Sequence, residues 1–566
     1  MKKIYIVIAV LGIITLNGCK DNFLEREPLD QFSDDIYWKT EKEVSTFAWG
    51  YYTSYFTGYG SGFTFGKYFS GETLNDDFAP TTPTAFTKTV PSSGGGWSFT
   101  WVRKSNLFID RIAKVPMSDE ARKNWTGVAR FFRALEYNDL VKSFGDVPYY
   151  NTVLEENSPE LYRPRDPQVL VLDSVLADFK YAAENVRSVD NTLGPKAQIV
   201  NKYTVLAFMS RIFLYHGTRL KYWNINAAKS AEYLEAAKWA ANEVMTKGGY
   251  SLGNSYASLF NSVDLAGNPE MIMYRQYASA QSTHSLHSYV NKEAQTGTSK
   301  DAIESYLCAD GLPIAVSPLY KGDKTITNVL SGRDPRMKET IASAIRLPGI
   351  ASNYSTSGYA VIKFYNESLK DIADGLSNTN TTDAPIIRYG EVLMNYAEAC
   401  AELGTLTQAD LDKSINVLRS RPGIALPKLQ VIGDLPAVNN VVYTDPVKDA
   451  DVSSLIWEIR RERRTELMME GFRNDDLKRW RKYAYLDTKM NTDINRGAWI
   501  KKTDYPKATV TIDGTTEGYI IPAPKPETQR VFDNDKVYLS PLPLDQIKLY
   551  KDQGVDLNQN PGWESQ

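Results

Sequence analysis

Two glutamates on one predicted helix are the residues best spaced for acid–base chemistry. Glu391 and Glu398 lie seven residues apart in a polar stripe that also contains Arg388, Asn395 and Glu402. Residues three and four apart share a helix face, so the two carboxyl groups could act as general acid and base in glycoside cleavage. That reaction needs carboxyl groups about 5 to 5.5 Å or about 6.5 to 9.5 Å apart, whereas seven helical residues span about 10 Å.

A structural role accounts better for these carboxylates. A second predicted helix is crowded with the charged residues Glu458, Arg460, Arg461, Glu462, Arg463, Arg464 and Glu466. Arginine binds carboxylates in fixed, bidentate geometry. We therefore predict that arginine–carboxylate bonds join the helices, and we assign no catalytic residue.

The three histidines, His216, His284 and His287, do not indicate a metal site. His284 and His287 lie one helical turn apart, but no third histidine is nearby and no HExxH motif occurs. We expect imidazoles at the surface or in contact with a ligand, and no cofactor. The sequence leaves open whether a calcium ion orders one of the loops. The patterns GxSxG, GxGxxG and GxxxxGK[ST] are also absent.

Aromatic residues in irregular segments are the most informative feature. Segments 58–100 and 248–385 lack a helical period, and long structured loops are usually functional. Flat rings in such loops can stack on the apolar faces of sugars, and we expect many of them to be partly exposed; packing between loops is the alternative. The predicted ligand-binding rings are Trp97, Phe99, Trp101, Tyr274, Tyr277 and Tyr289. The predicted polar contacts are Asp76, Asp77, Asn106, His284 and His287.

Amphipathic helices must position these loops. In segment 121–144, apolar residues recur at steps of three and four until Gly145 ends the pattern. Further helices are predicted at about 41–57, 167–187, 202–217, 227–247, 386–403, 409–421 and 453–471. Their similar lengths and short linkers indicate antiparallel pairs stacked like tetratricopeptide repeats. The predicted fold is mainly α, a helix-pair solenoid or α-α superhelix with long irregular loops and minor β structure.

The bulk composition fits one large globular body. The chain has 566 residues, 42% of them hydrophobic, and a net charge of −3, so nothing points to nucleic acid. We predict a single domain over 41–566, with helix pairs at about 101–247 and 386–471. Cys308 and Cys400 could form at most one disulfide, but Cys400 lies on an apolar stripe and indicates a buried thiol.

The first residues have the pattern of a lipoprotein signal. Lys2 and Lys3 precede an apolar run, 4–16, that is too short to span a bilayer, which needs about 20 residues. The run ends in Leu-Asn-Gly-Cys, the pattern cut by lipoprotein signal peptidase. We therefore expect a signal peptide at 1–18, lipid attachment at Cys19 and a tether over 19–40.

Several segments resemble the SusD/RagB family of outer-membrane lipoproteins. They are CKDNFLEREP, GVARFFRALEYNDLVKSFGDVPYY, RPRDPQVLVLDSVLADFKYAAENV, the DG pair at 310 and 311, RDPRM, DAPIIRYGEVLMNYAEACAELG, INVLRSRPGI, IRRERRTELMMEGFRNDDLKRW and LNQNPGW. Each motif alone is weak, but their order along nearly the whole chain is the family's. The pair Lys20-Asp21 also resembles a surface-export signal, which favours the outer face of the membrane.

The resemblance implies a function without catalysis. Members of the family bind oligosaccharides, or in some branches peptides, and partner a SusC-like TonB-dependent transporter in the outer membrane. Our leading hypothesis is a lipid-anchored, cell-surface protein that captures glycans. The alternatives are a peptide-binding RagB-like surface protein, a surface glycoside hydrolase that uses Glu391 and Glu398, and an assembly adaptor that binds another protein's tail.

Overall fold

The computed structural model describes residues 37–69, 74–87 and 89–564. The predicted signal peptide, Cys19 and all but the end of the tether lie outside these ranges. Among the described residues, no helix has both the length and the apolar character that a membrane span requires. Lipid attachment at Cys19 therefore stays a prediction.

The described residues form a mainly helical structure, as predicted. The longer helices are α1 (Glu41–Trp49), α3 (Thr100–Ile112), α4 (Asp119–Phe144), α5 (Gln168–Asn185), α6 (Lys202–Tyr222), α7 (Ala227–Lys247), α12 (Tyr389–Glu402), α15 (Ser454–Glu466) and α17 (Leu544–Asp552). The shorter helices are α2 (Tyr52–Tyr55), α8 (Ser258–Asn261), α9 (Leu286–Lys292), α10 (Lys300–Ser305), α11 (Ile326–Leu330), α13 (Gln408–Asp412), α14 (Ile415–Arg419) and α16 (Arg473–Arg479).

Consecutive helices pack against each other as the predicted pairs. Helix α4 packs on α5, α6 packs on α7, and α12 returns to pack on both α6 and α7. The α6–α7 pair is especially close because Gly217 has no side chain: a Cβ there would lie 2.7 Å from Cγ of Leu234. The helix-pair solenoid predicted from the sequence is confirmed.

The strands are short and join distant parts of the chain. They are β1 (Phe78–Ala79), β2 (Met271–Arg275), β3 (Gly297–Thr298), β4 (Ala384–Arg388), β5 (Gln430–Ile432), β6 (Leu435–Val438), β7 (Val441–Val442), β8 (Trp499–Lys501) and β9 (Glu517–Tyr519). All pairs are antiparallel: β1 with β3, β2 with β4, β5 with β6 and β7, and β8 with β9. The β2–β4 pair fixes the position at which α12 begins.

Two large apolar clusters form the core. One lies between the helices, and the other lies among the loops and short elements, where Tyr59, Phe69, Tyr277 and Phe364 are buried. A buried aromatic ring removes about 150–250 Å² of surface from water. The aromatic residues of the irregular segments therefore build a second core.

Several helix boundaries differ from the sequence prediction. The helix predicted at 386–403 begins at Tyr389, because 384–388 pairs as strand β4. The segment 409–421 forms two short helices, α13 and α14, and the helix predicted over 41–57 is divided at Gly50 and Tyr51 between α1 and α2. Pairing with a distant strand and tight local turns override the apolar period at these ends.

The N-cap of α4 provides a test of local helix stability. The hydroxyl of Ser118 accepts a hydrogen bond from the backbone N–H of Ala121 at 3.1 Å. We expect Ser118→Ala to lower the free energy of unfolding by about 1 kcal/mol, because that N–H loses its partner. Urea denaturation measures the change. Ser174→Ala, inside α5, removes no cap and should stay within about 0.5 kcal/mol of the wild type.

Candidate functional site

Of the aromatic residues after the triple glycine, Trp97 is buried, and Phe99 and Trp101 are half-buried. Trp97 is only 7% exposed, and its ring lies edge-on to Phe144 and Phe99 at 5.0 and 5.4 Å. Trp101 is half-buried on α3, with its ring centroid 5.4 Å from that of Tyr51. The expected exposure of Trp97 is wrong, because the glycine-rich turn folds its ring onto the end of α4.

The tyrosines of the second irregular segment are also internal. Tyr274 and Tyr277 are buried, and Oη of Tyr277 donates to the carbonyl of Gly60 at 2.7 Å. Tyr289 is half-buried, with its ring 4.7 Å from that of Phe65. These rings join loops that are far apart in the sequence, so the expected partial exposure of Tyr274 and Tyr277 is wrong.

The predicted polar contacts are engaged within the protein. Asp76 accepts from Nε and Nη2 of Arg473 at 2.6 and 2.7 Å, and Asp77 accepts from Nε of Arg464 at 2.9 Å. Asn106 is buried, and its amide donates to two backbone carbonyls at 3.0 Å. A buried polar group must be paired, and these side chains meet that requirement without a ligand.

The histidine pair holds two loops together. Nε2 of His284 lies 2.9 Å from the carbonyl of Thr382, and Nδ1 accepts from the N–H of Leu286. Burial lowers the pKa of His284 to about 4, so its imidazole is neutral at pH 7. Nε2 of His287 lies 2.9 Å from the carbonyl of Asn366. Both imidazoles are buried, so neither lies at the surface, and contact with a ligand stays a prediction.

The helical carboxylates Glu391 and Glu398 form the ion pairs with arginine that the sequence predicts. Glu391 binds Nε and Nη2 of Arg211 on α6, each at 2.6 Å. Glu398 binds Arg479 at 2.6 and 2.7 Å. Burial raises the pKa of Glu398, but the guanidiniums of Arg479 and Arg463 outweigh that effect and hold it below its ordinary value. A carboxylate held ionised cannot donate the proton that glycoside cleavage requires.

A groove of about 700 Å³ lies beside the charged helix α15. It opens between α15, helix α10 with the loop that follows it, and the segments 445–449 and 484–493. Its apolar lining includes Ile314, Val447, Tyr320, Trp457, Tyr485 and Met490. This volume is within the usual range of sites for small ligands, about 300–1,000 Å³.

Three half-buried aromatic rings border the groove. Nε1 of Trp457 donates to Oδ2 of Asp445 at 3.2 Å, and the hydroxyl of Tyr485 donates to the Asp449 carboxylate. Burial raises the pKa of Tyr320 to about 12, so its hydroxyl is a neutral donor and acceptor. Two of the rings are thus fixed through their polar atoms, while all three retain accessible surface. Such rigid amphipathic rings suit ligands with both apolar faces and hydroxyl groups.

Helix α15 supplies one whole wall of the groove. Trp457, Arg460, Arg461 and Arg464 follow the spacing three, one, three, which places them on one helix face. Ser453 caps the helix by accepting an N–H from its first turn. The sequence interpretation missed Trp457, although one tryptophan in a stripe of arginines was a detectable signal.

Comparison with known proteins decides the family. The model of the SusD family matches residues 269–563, which is more than half of the chain. The chain belongs to the SusD family. It is also 24% identical over 513 residues to SusD-like protein P38 of Formosa agariphila, covering 84% of this chain and 91% of that protein.

Three solved structures of other proteins have the same fold. A SusD-like carbohydrate-binding protein from Bacteroides fragilis aligns with a TM-score of 0.67 at 22% identity, over 91% of this chain and 99% of that chain. A laminarin-binding SusD-like protein aligns with a TM-score of 0.56 at 18% identity, over 93% and 100%. A surface glycan-binding protein A from Bacteroides fluxus gives 0.59 at 16% identity, over 93% and 100%.

This SusD-family chain has a second cavity of about 600 Å³, between α2, α4, α6 and α16. Fewer of its aromatic residues are accessible: Tyr68, Phe208 and Tyr215 are buried, and Tyr55 and Phe472 are half-buried. Lys142 forms an ion pair with Asp475 in its wall. The groove beside α15 is therefore the stronger candidate site of this SusD-family protein, because three accessible rings border it.

Proposed function

We propose that this SusD-family protein captures oligosaccharides in the groove beside α15 and breaks no bond in them. The observation that carries the proposal is the border of three half-buried rings, Tyr320, Trp457 and Tyr485, around an open volume of about 700 Å³. The solved relatives described as carbohydrate-binding, laminarin-binding and glycan-binding support the same class of ligand.

The energetics favour capture by several weak contacts. A ring that covers about 50 to 80 Å² of apolar sugar surface contributes roughly 1 to 2 kcal/mol at about 25 cal/mol per Å². Three such contacts, together with hydrogen bonds from sugar hydroxyls to the carboxylates of the wall, lead to affinities near the micromolar range. A single ring would hold almost nothing, so the ligand must span the groove.

Capture without catalysis agrees with the state of the acidic residues. Glu391 and Glu398, the candidates for glycoside cleavage, are held in ion pairs with Arg211 and Arg479. Both side chains are almost inaccessible. A carboxylate that serves as nucleophile or acid must reach the substrate, and neither residue can do so in this arrangement.

Surface anchoring and delivery complete the proposal. The lipoprotein pattern that ends at Cys19 and the Lys20-Asp21 pair support attachment to the outer face of the outer membrane. Membership of the SusD family supports a SusC-like TonB-dependent transporter as the partner that receives the ligand.

Trp457 is the residue that tests the groove. We expect Trp457→Ala to weaken oligosaccharide binding about 5- to 30-fold, because one ring contact of roughly 1 to 2 kcal/mol is lost. Calorimetric titration of the soluble chain with glycans selected on a polysaccharide panel measures the effect.

The matched control is Trp239→Ala on α7, whose ring is 46% exposed and does not line the groove. Circular dichroism and thermal melting of both variants establish that they fold. Binding by Trp457→Ala that equals the wild type would place the ligand elsewhere. If the protein retained casein peptides but no glycan, the ligand would be a peptide and not an oligosaccharide.

A further inference from the structure

We infer that the groove selects oligosaccharides without acidic groups and rejects chains that carry uronate or sulfate. The inference rests on the proposed function and adds the charge class of the ligand. It comes from the ion pairs and hydrogen bonds that the cationic side chains of the groove lining already form within the protein.

Each nitrogen of the Arg461 guanidinium is already bound to an internal acceptor. Its Nε donates to Glu458 at 3.1 Å, its Nη1 donates to the carbonyl of Ser305 at 3.2 Å, and its Nη2 binds Asp445. Asp445 is also the acceptor of the Trp457 indole N–H. A carboxylate or sulfate on the ligand would have to displace a buried internal carboxylate to reach this guanidinium.

Arg464 and Arg473 are occupied in the same way. Arg464 donates from Nε to Asp77 at 2.9 Å and from Nη1 to Asp301 at 2.8 Å. Arg473 binds both oxygens of Asp76. Because these pairs are partly or fully buried, the two arginines line the groove as members of ion pairs and not as free cations.

Arg460 is held by aromatic rings. Its guanidinium lies 4.3 Å from the ring centre of Trp480 and 4.8 Å from that of Tyr222, and Nη2 is 3.5 Å from Glu402. The side chain is only 6% exposed, and its Nε is buried without a hydrogen-bond partner. A ligand in the groove therefore meets the edge of a stacked guanidinium.

Carboxylates outnumber cations in the wall. The lining contains the acidic residues Asp76, Asp301, Glu304, Asp445, Asp449 and Asp493 and the basic residues Arg460, Arg461, Arg464 and Arg473. Their ion-pair partners behind the lining are Asp77, Glu402 and Glu458 on the acidic side and Lys300, Lys482 and Arg496 on the basic side. Lys448, beside the lining, donates to two backbone carbonyls. The balance stays negative even when Lys448 is counted.

This balance distinguishes hydroxyl groups from anionic groups. An ionised carboxylate only accepts hydrogen bonds, so the O–H of a neutral sugar can donate to it. The carboxylate or sulfate group itself offers no such donor and adds a like charge in the groove, where a lower effective dielectric constant than that of bulk water strengthens charge repulsion.

A pair of ligands that differ only in charge tests the inference. The neutral oligosaccharide that binds best is compared with its derivative in which the primary C6 hydroxyls are oxidised to carboxylates, by calorimetry at low salt. We expect the oxidised derivative to bind at least tenfold more weakly, and the difference to shrink at 0.5 M salt as screening increases. Equal or tighter binding of the oxidised form, or of natural uronate-bearing or sulfated chains, would overturn the inference while glycan capture stands. Failure of every glycan to bind would overturn both.

Glu304 provides the matched variant. Its side chain is 25% exposed in the groove and binds Nζ of Lys300 at 2.6 Å, a bond that the amide oxygen of Glu304→Gln can still accept. We expect Glu304→Gln to raise the affinity for the oxidised ligand at least threefold relative to that for the neutral ligand, because the variant removes one like charge from the lining. Glu235→Gln on α7, 57% exposed and outside the groove, is the control. An unchanged ratio of affinities in Glu304→Gln would contradict the role of the wall carboxylates.

Discussion

Replacement of Arg388 by methionine is expected to lower the free energy of unfolding by about 3 to 5 kcal/mol, the usual cost of removing one partner from a buried ion pair. Arg388 uses all of its donors. Nε and Nη2 bind the two oxygens of Glu470 at 2.8 Å, Nη1 binds Glu270 at 2.9 Å and Glu466 at 2.8 Å, and Nη2 also reaches the carbonyl of Glu466. Methionine keeps the length of the side chain but leaves three buried carboxylates short of donors.

Urea denaturation followed by circular dichroism measures this loss, with the yield of folded protein as a second readout. Arg388→Lys should also be strongly destabilised, because an ammonium group cannot reproduce the fork of five N–H donors. The control is Lys548→Met, which breaks an exposed pair with Asp552 on α17 and should cost less than about 1 kcal/mol. A cost for Arg388→Met no larger than that of the control would show that the network is not essential for the fold.

Acid is expected to destabilise the protein steeply between pH 4.5 and about pH 2. Burial raises the pKa of Glu466, but Arg388, Arg421 and Arg336 outweigh burial and bring it down to about 2 from an ordinary value of 4.5. Its folded pKa lies below its unfolded pKa, so its contribution is complete above pH 4.5 and is lost as the pH falls. The contribution is roughly 3 kcal/mol at 1.36 kcal/mol per pH unit.

The measurement is the free energy of unfolding across pH 2.5 to 7 for the wild type and Glu466→Gln. The variant should be less stable at pH 7 and should have a shallower slope below pH 4.5, by up to about 1.4 kcal/mol per pH unit. Asp383 acts in the opposite direction, because burial raises its pKa to about 6. The stability that its bound proton contributes is lost as the pH rises from about 4 to 6. Equal slopes in both proteins below pH 4 would contradict the role of Glu466.

The helical framework could be predicted because its signal is local. The apolar stripe of segment 121–144 gives α4, and the capping hydroxyl of Ser118 and the glycine at 145 mark its ends. The arginine–carboxylate bonds between helices could also be predicted, since charges such as Glu398 on a buried face must have partners. The buried thiol of Cys400 follows from the apolar stripe of α12, and both cysteines within the described residues are free.

The site could not be predicted from the irregular segments. The segments that contain Trp97 and Tyr277 lack a helical period, but the absence of a period does not determine whether a ring is exposed. The hydrogen bond of Tyr277 to Gly60 joins residues 217 positions apart, and no local pattern contains it. Conversely, Trp457 lies in a regular helix that looked like scaffold, and it borders the groove only because distant loops leave that face of α15 open.

The sequence by itself determined the paired helices, the charge pairing that joins them and the resemblance to the SusD family, because periodicity, capping and the need to neutralise buried charge act over a few residues. Only the tertiary structure decided which rings are accessible. A glycine-rich turn places Trp97 in the core, and a hydrogen bond to Gly60 holds Tyr277 there. Tyr320, Trp457 and Tyr485 meet around the groove from separate parts of the chain. Exposure depends on partners far away in the sequence, and those partners are fixed only when the whole chain has packed.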